Sequence, residues 1–106
     1  MTRIAVLGLG NFGTALARNW LGAGHDVSGW TVEQEVFDSV QATSINEKYL
    51  PEVPLEGLAV SMDIATTIEG AEIVVLALPS GVVLKVFDAG YNALRQIPSL
   101  LALPYP

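Results

Sequence analysis

Three glycines within six residues, Gly8-Leu9-Gly10-Asn11-Phe12-Gly13, constrain the fold of this chain more than any other stretch. Before them runs Thr2 to Leu9, β-branched and aliphatic, which predicts a buried strand. After them, Phe12 to Leu21 places apolar residues at 12, 15, 16, 17, 20 and 21, a helical spacing that closes at Leu21-Gly22. The glycines therefore join a strand directly to a helix.

The rest of the chain continues the alternation. Gly22-Ala23-Gly24-His25 reads as a turn and Asp26 to Trp30 as a second strand. Glu33 to Val40 predicts a brief helix with acidic residues in its first turn, where the helix dipole favours them. Pro51, Pro54 and Gly57 make Gln41 to Leu58 an extended connection. Leu58 to Met62 suits a third strand, and Asp63 suits the N-cap of a helix over Ile64 to Glu69. Ile73 to Leu78 is almost purely aliphatic, as a strand covered on both faces must be. Pro79-Ser80-Gly81 then predicts a turn and Val82 to Arg95 a last helix. This order implies an α/β chain: a Rossmann-like, right-handed, doubly wound parallel sheet of four to five strands with helices on both faces.

Length and composition remove other classes. At 106 residues the chain suits one domain, is too short for a closed eightfold barrel of about 250 residues, and cannot hold a cofactor domain and a full substrate domain together. Eleven acidic against five basic residues give a net charge of -6, the wrong sign for a nucleic-acid binder. Without cysteine there is no thiolate chemistry, and with His25 as the sole histidine no multi-histidine metal site is expected. Glycines and Asn11 interrupt the N-terminal apolar run, against a signal peptide, and Ile73 to Pro79 is far short of the roughly 20 residues of a membrane helix. A cytoplasmic protein with no membrane and no metal is the expectation.

The glycine loop also matches the six-residue dinucleotide fingerprint, in the strand–loop–helix context that gives the pattern physical meaning. Gly8 permits the tight turn, Gly10 the close approach of a pyrophosphate, and Gly13 the packing of helix on strand. The amides of Asn11, Phe12 and Gly13 would face the phosphates with the helix dipole behind them. A glycine turn with no ligand is the plain alternative. An acid is expected about 20 residues past the last glycine to accept from the ribose hydroxyls. Glu33 stands there, with Glu35 as second candidate and ordinary helix-start acids as the alternative for both. No Arg or Lys lies between Trp30 and Gln41 to hold a 2′-phosphate, so NAD is expected over NADP. The remaining conspicuous residues take ordinary readings. His25 belongs to an exposed turn, Lys85 and Arg95 to solvated helix faces, Trp20 and Trp30 to the core, and Ser80 has no local base to activate it.

The extended stretch Gly8-Leu9-Gly10-Asn11-Phe12-Gly13-Thr14-Ala15-Leu16-Ala17, then Ile45-Asn46-Glu47-Lys48-Tyr49-Leu50-Pro51, Met62-Asp63-Ile64 and Ala77-Leu78-Pro79-Ser80, resembles the N-terminal domain of NAD(P)-dependent glycerol-3-phosphate dehydrogenase from residue 3 to about 90. The resemblance implies that Asn11 and Phe12 contact the pyrophosphate and that Pro79 and Ser80 lie beside the nicotinamide half. It also implies that Val32, at a position often basic in NADPH-using members, argues for NAD. It implies a domain division of 1–95 for the dinucleotide and 96–106 as an atypical tail, with the substrate domain absent. No catalytic residue is then expected here, because the family's lysines lie beyond the match. A stand-alone nucleotide sensor and an inactive gene remnant remain the alternatives. Because a fifth strand normally covers Ile73 to Leu78, its edge is expected either to associate with a second copy, the favoured outcome, or to be covered by Leu100 to Leu103.

Overall fold

The computed structural model describes residues 2–78 and the backbone of the strand 99–102. Its elements are β1 (Arg3–Leu7), α1 (Asn11–Gly22), β2 (Asp26–Trp30), α2 (Gln34–Thr43), β3 (Ile45–Asn46), β4 (Leu50–Pro54), β5 (Ala59–Ser61), α3 (Ile64–Ile68), β6 (Ile73–Leu76) and β7 (Ser99–Ala102). Among the described residues the main sheet is parallel, in the order β5-β2-β1-β6-β7.

β1 lies at the centre, paired to β2 from Arg3↔Asp26 to Leu7↔Trp30 and to β6 from Ile4↔Ile73 to Leu7↔Leu76. Neighbours on both sides and cover on both faces explain its aliphatic composition: Ala5, Val6 and Leu7 are fully buried. Alternate residues serve opposite cores. Ile4 and Val6 join Val27, Val75 and the α1 and α2 residues Ala17, Val36 and Val40 on one face. Ala5 and Leu7 join Trp30, Val74, Leu76 and the α3 residue Ile68 on the other. Helices on both faces make this the doubly wound arrangement expected.

Several details differ from the sequence reading. The connection 41–58 contains an antiparallel hairpin, β3 with β4, in the register Ile45↔Pro54 and Asn46↔Leu50. Pro51 and Pro54 are tolerated because a two-stranded ribbon leaves outward positions where no N–H is needed. Glu33 is the extended N-cap residue of α2 and not its first helical residue, and the helix runs on to Thr43 before Ser44 turns left-handed at φ 60°. Asp63 caps α3 as expected, accepting from the Thr66 amide at 2.9 Å. His25 is half-buried rather than exposed, its Nδ1 accepting from the Thr2 amide at 3.2 Å. Trp20 packs against the first core and Trp30 is buried in the second.

The β6 edge is not open for a second copy. Ser99–Ala102, within the segment set apart as a tail, runs parallel beside it from Ile73↔Ser99 to Leu76↔Ala102. The expected turn Pro79-Ser80-Gly81 and helix Val82 to Arg95, with Lys85 and Arg95, lie outside the described residues. Among the described residues no helix is long and apolar enough to cross a membrane.

Candidate functional site

Strand order reverses about β1, with β2 on one side and β6 on the other, so the carboxyl ends of these strands bound a crevice at the switch point. A cavity of about 350 Å³ occupies it. The glycine loop, the residues after β2 (Thr31, Val32 and Glu33), the hairpin's Tyr49 and the β6 exit (Ala77 and Leu78) form its walls.

The three glycines differ in what surrounds them. Gly8 has φ +117°, and a Cβ there would lie 2.5 Å from the Ala77 carbonyl oxygen. Its amide donates to the Trp30 carbonyl at 2.9 Å, tying the turn to the end of β2. At Gly13 a Cβ would fall 1.7 Å from the Gly8 carbonyl oxygen, which is the helix-on-strand contact expected of the third glycine. Gly10 is the exception, since a Cβ there would meet nothing within 4 Å. It is the N-cap residue of α1, has no side-chain cap, and sits where the helix presents the positive end of its dipole to the cavity.

On the opposite wall, Glu33 is held by the hairpin. Its Oε1 accepts from Lys48 Nζ at 2.5 Å and its Oε2 from the Tyr49 hydroxyl at 2.8 Å. Lys48 also donates to Glu35 Oε1 at 2.8 Å and lies 5.5 Å from the Tyr49 ring centroid. The hydrogen bond from Lys48 holds the Glu33 carboxyl below its ordinary value against the opposing effect of partial burial, with Tyr49 assisting. The same contacts raise the Tyr49 hydroxyl, chiefly through Glu33, and raise Lys48 through Glu33 and Glu35. Val32, 66% exposed, offers an apolar side chain at the rim.

The hairpin reaches the cavity because Asn46 anchors it. Fully buried, Asn46 donates from Nδ2 to the Leu9 carbonyl and to Thr14 Oγ1, both at 2.9 Å, and its Oδ1 accepts from the Tyr49 amide at 3.3 Å. One side chain thus joins the glycine loop, α1 and the hairpin.

Of the residues singled out from sequence, Gly8, Gly10, Asn11, Phe12, Val32 and Glu33 line this one cavity. Gly13 lies behind it as packing. Glu35 does not line it but shares Lys48 with Glu33. Pro79 and Ser80 lie outside the described residues. Sequence reasoning missed Tyr49 and Lys48. It looked for a cation only between Trp30 and Gln41, whereas the fold brings one in from the hairpin. The only signal for them was the Asn46 to Pro51 stretch, quoted for resemblance without a role.

The chain is similar to known proteins over most of its length. Residues 3–103 match a family model described as NAD-dependent glycerol-3-phosphate dehydrogenase N-terminus. The glycerol-3-phosphate dehydrogenase [NAD(P)+] of Corynebacterium aurimucosum is 40% identical over 81 residues, 76% of this chain and 24% of the relative. That of Leuconostoc citreum is 37% identical over 98 residues, 92% of this chain and 29% of the relative. The crystal structure of glycerol-3-phosphate dehydrogenase from Coxiella burnetii superposes with a TM-score of 0.80 at 31% identity, over 87% of this chain and 29% of that one. The chain thus spans about a quarter of the length of the curated relatives it matches.

Proposed function

The chain belongs to the NAD-dependent glycerol-3-phosphate dehydrogenase family, matching its N-terminal part, and from that premise we propose that the cavity beside the glycine loop binds the adenine dinucleotide NAD(H). The observation that carries this reading is the contrast among the glycines. Gly8 and Gly13 are glycine because protein atoms fill the space of a side chain, whereas Gly10 faces open space at a helix N-terminus. A glycine kept where the protein itself would admit a side chain suits a ligand that approaches the backbone.

Gly10, Asn11 and Phe12 hold the pyrophosphate, Glu33 accepts from the adenosine ribose hydroxyls, and Val32 borders the adenine side. Pro79 and Ser80 serve the nicotinamide side on the strength of the family resemblance. The Glu33–Lys48–Glu35 group carries a net charge of one negative unit, which disfavours a 2′-phosphate and favours NADH over NADPH. The bound nicotinamide would supply the hydride chemistry. This region orients it, in a whole enzyme that interconverts glycerol 3-phosphate and dihydroxyacetone phosphate. The groups that polarise the substrate and move its proton belong to the rest of the relatives' length, and the sheet from β1 through β7 with its helices forms the cofactor unit.

Calorimetric titration of the chain with NADH tests the proposal. Binding is expected, and Gly10→Val should abolish it while leaving the far-ultraviolet circular dichroism unchanged. Unaltered NADH affinity in a folded Gly10→Val variant would remove the loop from the site.

A further inference from the structure

We propose that Lys48 is the residue on which selection between a ribose 2′-hydroxyl and a 2′-phosphate turns, because its ammonium is held between Glu33, which lines the glycine-loop cavity, and Glu35. The inference rests on the dinucleotide reading of that cavity. Three observations carry it.

The first is where the cation comes from. Lys48 follows β3 in the hairpin, 15 residues from Glu33 and 13 from Glu35, yet its Nζ is within hydrogen-bonding distance of both. The second is how its donors are used. An ammonium has three N–H groups, and two are committed to carboxylates here. The third is what this does to Glu33. One donor reaches each of its oxygens, Lys48 on Oε1 and Tyr49 on Oε2, which pins the carboxylate and leaves each oxygen a further lone pair for a ribose hydroxyl.

Lys48 therefore has a role that depends on its neighbours. With both carboxylates present it is a positioning residue. It fixes Glu33 for a diol, and its own charge is outweighed by theirs. With the carboxylates made neutral, the same ammonium becomes an uncompensated point charge of the kind that binds phosphate. A 2′-phosphate, carrying roughly -1.5 to -2 charge near neutral pH, would then find a ligand where it had met repulsion. A residue that merely braces the hairpin would show no such inversion.

The test is a comparison of affinities for NADPH and NADH, repeated with 2′,5′-ADP and 5′-ADP to isolate the adenosine end. The full 106-residue chain is compared with Lys48→Met, Glu33→Gln/Glu35→Gln and the triple variant, each checked for folding by circular dichroism. In the parent, Lys48→Met should weaken 5′-ADP and NADH without improving NADPH. The double Gln variant should raise the NADPH-to-NADH affinity ratio by about tenfold, the effect of one charge-assisted hydrogen bond, and Lys48→Met in that background should return it. An equal ratio in the double and triple variants overturns the proposal. If that happens while NADH binding remains intact and Gly10-dependent, the dinucleotide reading survives and only the role of Lys48 falls. If the parent chain binds neither nucleotide, both fall.

Discussion

Replacing Gly13 by alanine adds one carbon at the tightest point of the loop. That carbon would sit 1.7 Å from the Gly8 carbonyl oxygen, 2.9 Å from the Gly8 carbonyl carbon and 3.3 Å from the Ala77 side chain. Ordinary contact begins near 3.4 Å, so α1 must retreat from the end of β1 by about 3.4 − 1.7 = 1.7 Å. The two nearest atoms are backbone and cannot swing aside. Overpacking of this kind costs about 3 kcal/mol, the upper part of its usual range. Alanine returns about 1 kcal/mol as the better helix former, leaving a net loss of about 2 kcal/mol. With an unfolding entropy of about 2.1 cal/mol/K per residue, a 106-residue chain loses about 9 °C in Tm. Gly10→Ala is the matched control. Its new carbon meets nothing within 4 Å, so the loss at this N-cap stays within about 1 kcal/mol. Thermal melts followed by circular dichroism, with and without NADH, separate the two. Gly13→Ala should melt early in both conditions. Gly10→Ala should melt near the parent without NADH but gain less from its addition. Equal melting of Gly13→Ala and parent would refute the packing argument, and equal stabilisation of Gly10→Ala and parent by NADH would refute the binding one.

Asn46→Leu should cost about 2 kcal/mol or more in urea denaturation, since it leaves the buried Leu9 carbonyl and Thr14 hydroxyl without their donor. An unchanged midpoint would show that the hairpin is not anchored through this side chain. Acid should also destabilise the chain. Glu33 and Asp63 are held below their ordinary values of 4.5 and 3.8, the first chiefly by Lys48 and the second by Thr66, so their contribution is complete above those values and is lost as pH falls through the lower, folded ones. Urea midpoints measured from pH 7 to pH 3 should fall at the acid end, less steeply in Asp63→Asn, and a midpoint that rises on acidification would reverse the assignment.

What could be read from the sequence was whatever local geometry decides. Ile4 to Leu7, the glycine loop and the α1 spacing are contiguous, and Gly8 and Gly13 have their reasons within a few residues or at the strand beside them. Glu33 was also legible, because one βαβ unit has a nearly fixed length and delivers the end of β2 to a known place. The hairpin was not. Pro51 and Pro54 look like breakers in a linear reading and are harmless only because β4 has one partner. Asn46 gave no sign that it would be fully buried, since its partners Leu9 and Thr14 lie 37 and 32 residues away. β7 was hard to favour for a similar reason: four of the five residues between Pro98 and Pro104 form a strand only because β6 already offers its edge. The consequence for the site is electrostatic. Counting charges between Trp30 and Gln41 gives three acids and no cation, whereas in the fold Glu33 and Glu35 share an ammonium with two of its N–H groups committed. The sign of the field is the same in both accounts, but only the second contains a charge that a substitution can release.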